Sequence, residues 1–261
     1  MGSGRASMDV KAYLKRIGYR GSMEPDARTL LDLHRAHMFT VPFENLDIHL
    51  GRPIVLNDEA LFEKIVARRR GGFCYELNGL FCALLRALGF QVSMLCARVA
   101  RAEDDFGPPF DHMTLLVQLD RPWIADVGFG DSFIEPLLLE PKLRQYQWGR
   151  TCRILSSGED LLYQSRSSKG RWNSEYKFGL TPYQYEDFGE MCLYHQTSPQ
   201  SSFTRKRVCS RATPDGRVTI SDRKLILTRN GVRVERELKD GEYAVALREY
   251  FGVVLGGSLG S

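Results

Sequence analysis

The sequence predicts an α+β fold, on three observations. Apolar residues recur at helical spacing through the first third, the period changes to two from Gln91, and the last third returns to strands closed by one amphipathic helix. The expected units are a helical unit over 8–90, antiparallel strands forming a small sheet or barrel over 91–190, and strands with a terminal helix over 191–261. Residues 1–7 are Gly/Ser-rich and read as an expression remnant, with Met8 as the natural start.

Helical signals cover 10–17 and 25–39, the second opened by Glu24-Pro25, and Pro42 blocks its continuation into 41–48. Asn57 suits the N-cap of a third helix over 57–68. A fourth helix starts after Arg70-Gly71-Gly72-Phe73, with Cys74, Leu77, Leu80, Phe81, Leu84, Leu85 and Leu88 at helical spacing, and Gly89 stops it. Strands are expected at 91–99, 112–119 and 123–127, with short runs at 152–155 and 161–165. Further strands fall at 217–220, 224–228 and 232–238, where Asn230-Gly231 is a favoured two-residue hairpin turn. Over 243–254, Tyr243, Leu247, Tyr250, Phe251 and Val254 share one helical face.

A chain of 261 residues with 43% hydrophobic content can bury its own core. Its formal charge of +4 is spread along the chain, so nucleic acid is not the expected partner, although a few basic residues could still hold an anionic small ligand. Six cysteines without a Cys-x-x-Cys pair read as reduced thiols. No apolar run is long enough for a membrane span or signal-peptide core, so a soluble cytoplasmic protein without a membrane partner is expected. The oligomeric state is not legible.

Cys74 stands at a helix start behind a glycine pair, where unpaired N–H groups and the positive end of the dipole favour a thiolate. The other cysteines read as small buried hydrophobes. A cysteine nucleophile needs a base, and the base needs a third group to fix its tautomer. His112 heads a predicted strand and Asp126 lies on the next, so an antiparallel pair could bring them together. A two-residue turn at Asp120-Arg121 would set His112 opposite Phe129, whereas a turn centred on Leu119 would set it opposite Asp126. His34 and His37 lack a third ligand at suitable spacing and read as helix-surface or packing residues; no metal is expected.

Arg70-Gly71-Gly72-Phe73-Cys74-Tyr75-Glu76-Leu77-Asn78-Gly79-Leu80-Phe81 resembles the active-site segment of the arylamine N-acetyltransferases. Val41-Pro42-Phe43-Glu44-Asn45-Leu46, His112-Met113, Asp126-Val127-Gly128-Phe129-Gly130 and Ser198-Pro199-Gln200-Ser201-Ser202-Phe203 resemble the family's other hallmarks, in its order. The resemblance implies an N-terminal helical bundle carrying the cysteine, a central antiparallel β-barrel carrying His and Asp, and a C-terminal α/β lid, with a cysteine-protease-like triad of Cys74, His112 and Asp126. It further implies an aromatic substrate pocket of Phe43, Phe129 and Phe203, with Gly128 near the mouth through which the cofactor enters.

The implied activity moves an acetyl group from acetyl-CoA, as co-substrate, through an acetyl-cysteine to an arylamine or hydrazine. Arg205-Lys206-Arg207 is a candidate contact for the CoA phosphates, and the run Arg68-Arg69-Arg70 is expected to include a partner for Glu44. The alternatives are an amide synthase on the same scaffold, a papain- or transglutaminase-like thiol hydrolase, and a non-catalytic binder of CoA or an aromatic ligand.

Overall fold

The computed structural model describes residues 8–102, 105–167 and 170–256. The expected remnant at 1–7 and the stretch 257–261 lie outside the described residues.

Helices α1 (Val10–Ile17) and α2 (Ala27–Thr40) lead the chain. Asp9 and Asp26 cap them by accepting from Ala12 N and Thr29 N. A short strand β1 (Phe43–Glu44) and one helical turn α3 (Leu46–His49) follow. The expected helix over 57–68 is capped by Asn57, but it divides into α4 (Asp58–Phe62) and a π-helical turn Glu63–Ala67. Arg16 explains how the chain then turns: its buried guanidinium donates to the carbonyls of Thr40, Ile65, Arg69 and Arg70, and Arg69 adopts φ of 55°. Helix α5 (Cys74–Ala87) is buried on nearly all sides through its first two turns, as a central helix must be. Mid-helix Gly79 is required there, because a Cβ would lie 2.1 Å from the Tyr185 hydroxyl.

The next segment forms β2 (Gln91–Ala102), β3 (Asp105–Phe106), β4 (His112–Gln118), β5 (Pro122–Ala125), β6 (Leu137–Leu138), β7 (Gln145–Gln147), β8 (Arg150–Ser157), β9 (Asp160–Ser167) and β10 (Asn173–Tyr183). They make one antiparallel sheet in the order β6-β5-β4-β2-β10-β9-β8-β7, with β3 paired to β2. The sheet curls into a nearly closed barrel, and side-chain amides bridge its two edges. Gln145 accepts from Leu138 N and donates to Leu138 O, while Gln147 accepts from Ile134 N and Glu135 N and donates to Glu135 O. These contacts cover edge groups that would otherwise invite another strand.

The remaining elements are α6 (Gly189–Thr197), α7 (Ser202–Arg205), β11 (Val208–Thr213), β12 (Gly216–Ser221), β13 (Lys224–Arg229), β14 (Val232–Glu237) and α8 (Glu242–Phe251). Their sheet runs β1-β11-β12-β13-β14, so the residues Phe43 and Glu44 extend it from the N-terminal side. Asn230 and Gly231 both take positive φ, as the hairpin turn requires. Three apolar clusters hold the chain: α1, α2 and α5 against β2 and β4; the barrel interior around Tyr163, Tyr176 and Phe178; and α8 against the C-terminal sheet.

Candidate active site

His112 heads β4 with its ring buried, and its Nε2 lies 2.6 Å from Asp126 Oδ2. The strand register explains how they meet. Gln118 pairs with Pro122 and Leu115 with Ala125, so the turn centres on Asp120 and neither expected register forms. Continued past the end of β5, this register puts Asp126 opposite Thr114, one diagonal step from His112 and on the same face. Direct opposition is therefore unnecessary.

The Asp126 carboxylate is fully enclosed and partnered. Its Oδ1 accepts from Asn78 Nδ2 at 2.9 Å and Gly128 N at 3.0 Å, and its backbone N–H donates to His34 Nε2 at 3.1 Å. Burial works to raise its pKa, but His112, Asn78 and the Gly128 N–H together hold it below the usual aspartate value. His34 must accept at Nε2, so its Nδ1 carries the proton and donates to Ile134 O at 2.7 Å. Burial pushes its pKa down to about 4, which keeps the ring neutral. His34 and His37 are thus buried residues, not helix-surface ones, and His34 staples both ends of the 126–134 segment.

Cys74 is the first residue of α5 and is buried. Its sulfur faces the backbone N–H of Met113, the residue after His112, which favours the thiolate. Burial outweighs this donor and pushes the thiol well above its usual value. A thiol pushed up in this way needs a proton acceptor to react. Asn78, one turn along, ties α5 to both strands: Nδ2 donates to Met113 O at 2.6 Å and to Asp126, while Oδ1 accepts from Val127 N at 2.9 Å. Gly128 packs on the same helix start, where a Cβ would lie 2.8 Å from Cys74 Cα and from Cys74 O.

A buried charge network fixes the segment leading into α5. Arg70 is the expected partner of Glu44, at 2.8 Å, and it also reaches Asp47 at 3.0 Å. Lys64 bridges Asp47 at 2.8 Å and Glu76 at 2.7 Å. Glu44 further accepts from Gly71 N and Leu46 N, and Glu76 accepts from Phe73 N at the helix start. Burial pushes the Glu76 carboxyl up to about 7, against the pull of Lys64. Gly71 is forced by close approach, since a Cβ there would lie 1.9 Å from Pro42 O.

Phe43, Phe129 and Phe203 are all half-buried. Phe43 and Phe203 are neighbours at 6.1 Å between ring centroids, and Phe203 packs edge-on to Phe73 at 5.6 Å. Phe129 packs edge-on to the His112 ring at 5.1 Å. It also lines a cavity of about 790 Å³ together with Asp131, Arg150, Glu175 and Arg217. Arg205 and Lys206 are exposed beside Phe203, and neither lines that cavity. Among the described residues no group of three or more His, Cys, Asp or Glu could hold a metal.

The sequence reading missed Asn78 and His34. A signal existed for Asn78, a polar residue one turn after Cys74 on a helix otherwise lined with Leu and Phe. For His34 the helical spacing from His37 suggested only packing or surface placement, because its partners lie 92 and 100 residues away.

Residues 26–259 match the family profile described as N-acetyltransferase. The chain is 38% identical over 247 residues to the arylamine N-acetyltransferase of Escherichia coli (strain K12), covering 92% of this chain and 87% of that protein. It is 32% identical over 249 residues to proansamycin X synthase of Amycolatopsis mediterranei (strain S699), covering 92% and 95%. Its fold matches the structure of Mycobacterium marinum arylamine N-acetyltransferase in complex with CoA at a TM-score of 0.87 and 33% identity, covering 94% of this chain and 93% of that one.

Proposed function

The chain belongs to the arylamine N-acetyltransferase family, and on that premise we propose that Cys74, His112 and Asp126 carry its acetyl-CoA-dependent N-acetylation of arylamines, and of hydrazines. One observation carries the assignment to residues: the 2.6 Å contact between His112 Nε2 and Asp126 Oδ2, formed where β4 passes the start of the Cys74 helix.

Asp126 is an ionised acceptor, so Nε2 of His112 bears the proton and Nδ1 is the free base nitrogen. His112 takes the Cys74 proton, and the thiolate attacks the thioester carbonyl of acetyl-CoA. The first-turn N–H groups of α5 are the proposed oxyanion donors. Collapse breaks the bond to the CoA sulfur, which leaves with the proton from His112, and the acetyl group stays on Cys74. The amine nitrogen then attacks the acetyl-cysteine and loses its proton to His112, and the Cys74 thiolate departs and is reprotonated. An aromatic amine suits the second step because its nitrogen is largely unprotonated at neutral pH.

Phe43 and Phe203 are the proposed wall for the acceptor ring, and the cavity behind Phe129 offers room for its substituents. Gly128 keeps the approach to Cys74 clear, and exposed Arg205 and Lys206 remain the proposed contacts for CoA phosphates. Six free cysteines, and no helix among the described residues long and apolar enough to cross a membrane, support a cytoplasmic setting.

Initial rates at varied acetyl-CoA and 4-methoxyaniline test the reading. Parallel double-reciprocal lines are expected, because CoA leaves before the amine reacts. Intersecting lines would mean direct transfer and contradict an acetyl-cysteine, and consumption of acetyl-CoA at one rate with or without amine would favour a hydrolase.

A further inference from the structure

Outside the proposed triad, a second polar chain runs through the aromatic wall of the site. His195 on α6 is buried among rings, stacked on Tyr75 at 6.1 Å and edge-on to Phe203 at 5.2 Å. Its Nδ1 lies 3.1 Å from Ser201 Oγ, and Ser201 Oγ accepts from the backbone N–H of Phe203 at 3.2 Å. Its Nε2 is buried without a hydrogen bond and lies 3.3 Å from Asp111 Oδ1. One tautomer suits the charges along the chain. With the Ser201 hydroxyl donating to Nδ1, Nε2 carries the proton and stands at ion-pair distance from the Asp111 carboxylate, without a completed hydrogen bond to it.

The ends of this chain matter. Asp111 immediately precedes His112, Tyr75 immediately follows Cys74, and Phe203 contacts Phe43 and Phe73. The Phe203 carbonyl is held as well, accepting from Asn45 Nδ2 at 2.9 Å. Asn45 follows Phe43 and Glu44, so the backbone on both sides of the Phe203 ring is tied to segments that flank the reacting groups. Ordinary core packing does not ask for this: an apolar side chain at 195 would fill the same aromatic nest and leave no buried nitrogen to satisfy.

We propose that Asp111, His195 and Ser201 form a positioning relay that sets the Phe203 ring, and with it the acceptor pocket, against the start of the Cys74 helix. The relay rests on the reading of Phe203 as a wall of that pocket. None of its members exchanges a proton with substrate; their effect is exerted through the Phe203 backbone. The prediction is selective, because the two substrates of a two-step exchange report separately. The ratio kcat/KM for acetyl-CoA reads the formation of acetyl-Cys74, and kcat/KM for the amine reads its consumption.

His195→Leu is expected to lower kcat/KM for 4-methoxyaniline about tenfold while leaving that for acetyl-CoA within about twofold. Ser201→Ala should act in the same direction, and the double variant should lose no more than the worse single one, because both cut one chain. His195→Gln should recover part of the loss, since its amide can bond Ser201 and Asp111 together. A proportional fall in both ratios, additive losses in the double variant, or an unchanged amine ratio overturns the relay. Should His195→Leu fail to fold, Ser201→Ala carries the test alone, as it deletes one hydroxyl. Phe203→Ala separates the two levels. An unchanged amine ratio in that variant sinks the pocket reading, whereas a lowered ratio beside an unaffected His195→Leu sinks only the relay.

Discussion

Asp126→Asn lowers kcat by about 10⁴-fold and leaves the fold intact, because it reverses the proton on His112. The surroundings force that outcome. Oδ1 of residue 126 receives two N–H donors, from Asn78 and Gly128, so an asparagine must keep its carbonyl oxygen there. Asn78 cannot rotate to compensate, since its own oxygen accepts from Val127 N and its nitrogen donates to Met113 O. The new amide NH₂ therefore faces His112 Nε2, the ring moves its proton to Nδ1, and the base nitrogen is lost. Steady-state rates, with circular dichroism to confirm folding, check this; near-normal turnover would remove Asp126 from the machinery. Acid stability should change too. Asp126 titrates lower in the folded chain than in the unfolded one. Its contribution is therefore present above the unfolded value, about pH 4, and lost as pH falls through the folded value. The Asn variant should lack that acid-side slope in urea unfolding.

The largest stability effect is expected at Arg70. It is the buried cation between Glu44 and Asp47, and Arg70→Met leaves the fully enclosed Glu44 carboxylate with only backbone donors. Breaking a buried pair from one side costs about 3–5 kcal/mol. The same carboxylate anchors Gly71 N, so activity should fall with stability as the segment leading to Cys74 loosens. Urea unfolding measures the first effect. Glu44→Gln combined with Arg70→Met should recover part of the loss, because the uncompensated charge is then gone; an Arg70→Met chain as stable as the parent would show that the network is not structural.

Much of the fold was legible because its strongest elements follow simple periods. Helix α5 carries its apolar residues at helical spacing and Asn57 caps α4 as expected, whereas α2 opens on Asp26, one residue past the expected Glu24-Pro25 start. What escaped the sequence reading depends on tertiary context. Strand β10 contains Gly179 and Pro182, which read as breakers, yet its register shifts between Phe178 and Pro182 and absorbs them. Strand β11 is short and polar, and is stabilised by pairing with both β1 and β12. The π-helical turn has no compositional mark.

The candidate site shows the same division. Cys74, His112 and Asp126 could be picked out because each sits at the boundary of an element. Asn78, His34 and His195 sit inside helices, and their roles come from partners far along the chain. The register is the least legible feature: sequence leaves two turns open, and the hairpin instead centres on Asp120, so that His112 meets Asp126 diagonally.

The central claim is that the acetyl group rests on Cys74 between the two steps. Incubating the protein with acetyl-CoA and no amine, then weighing the intact chain, tests it most directly. One added acetyl group is expected, absent in Cys74→Ser and discharged when 4-methoxyaniline is supplied. No adduct on the parent chain, or an adduct that persists in Cys74→Ser, would contradict the account.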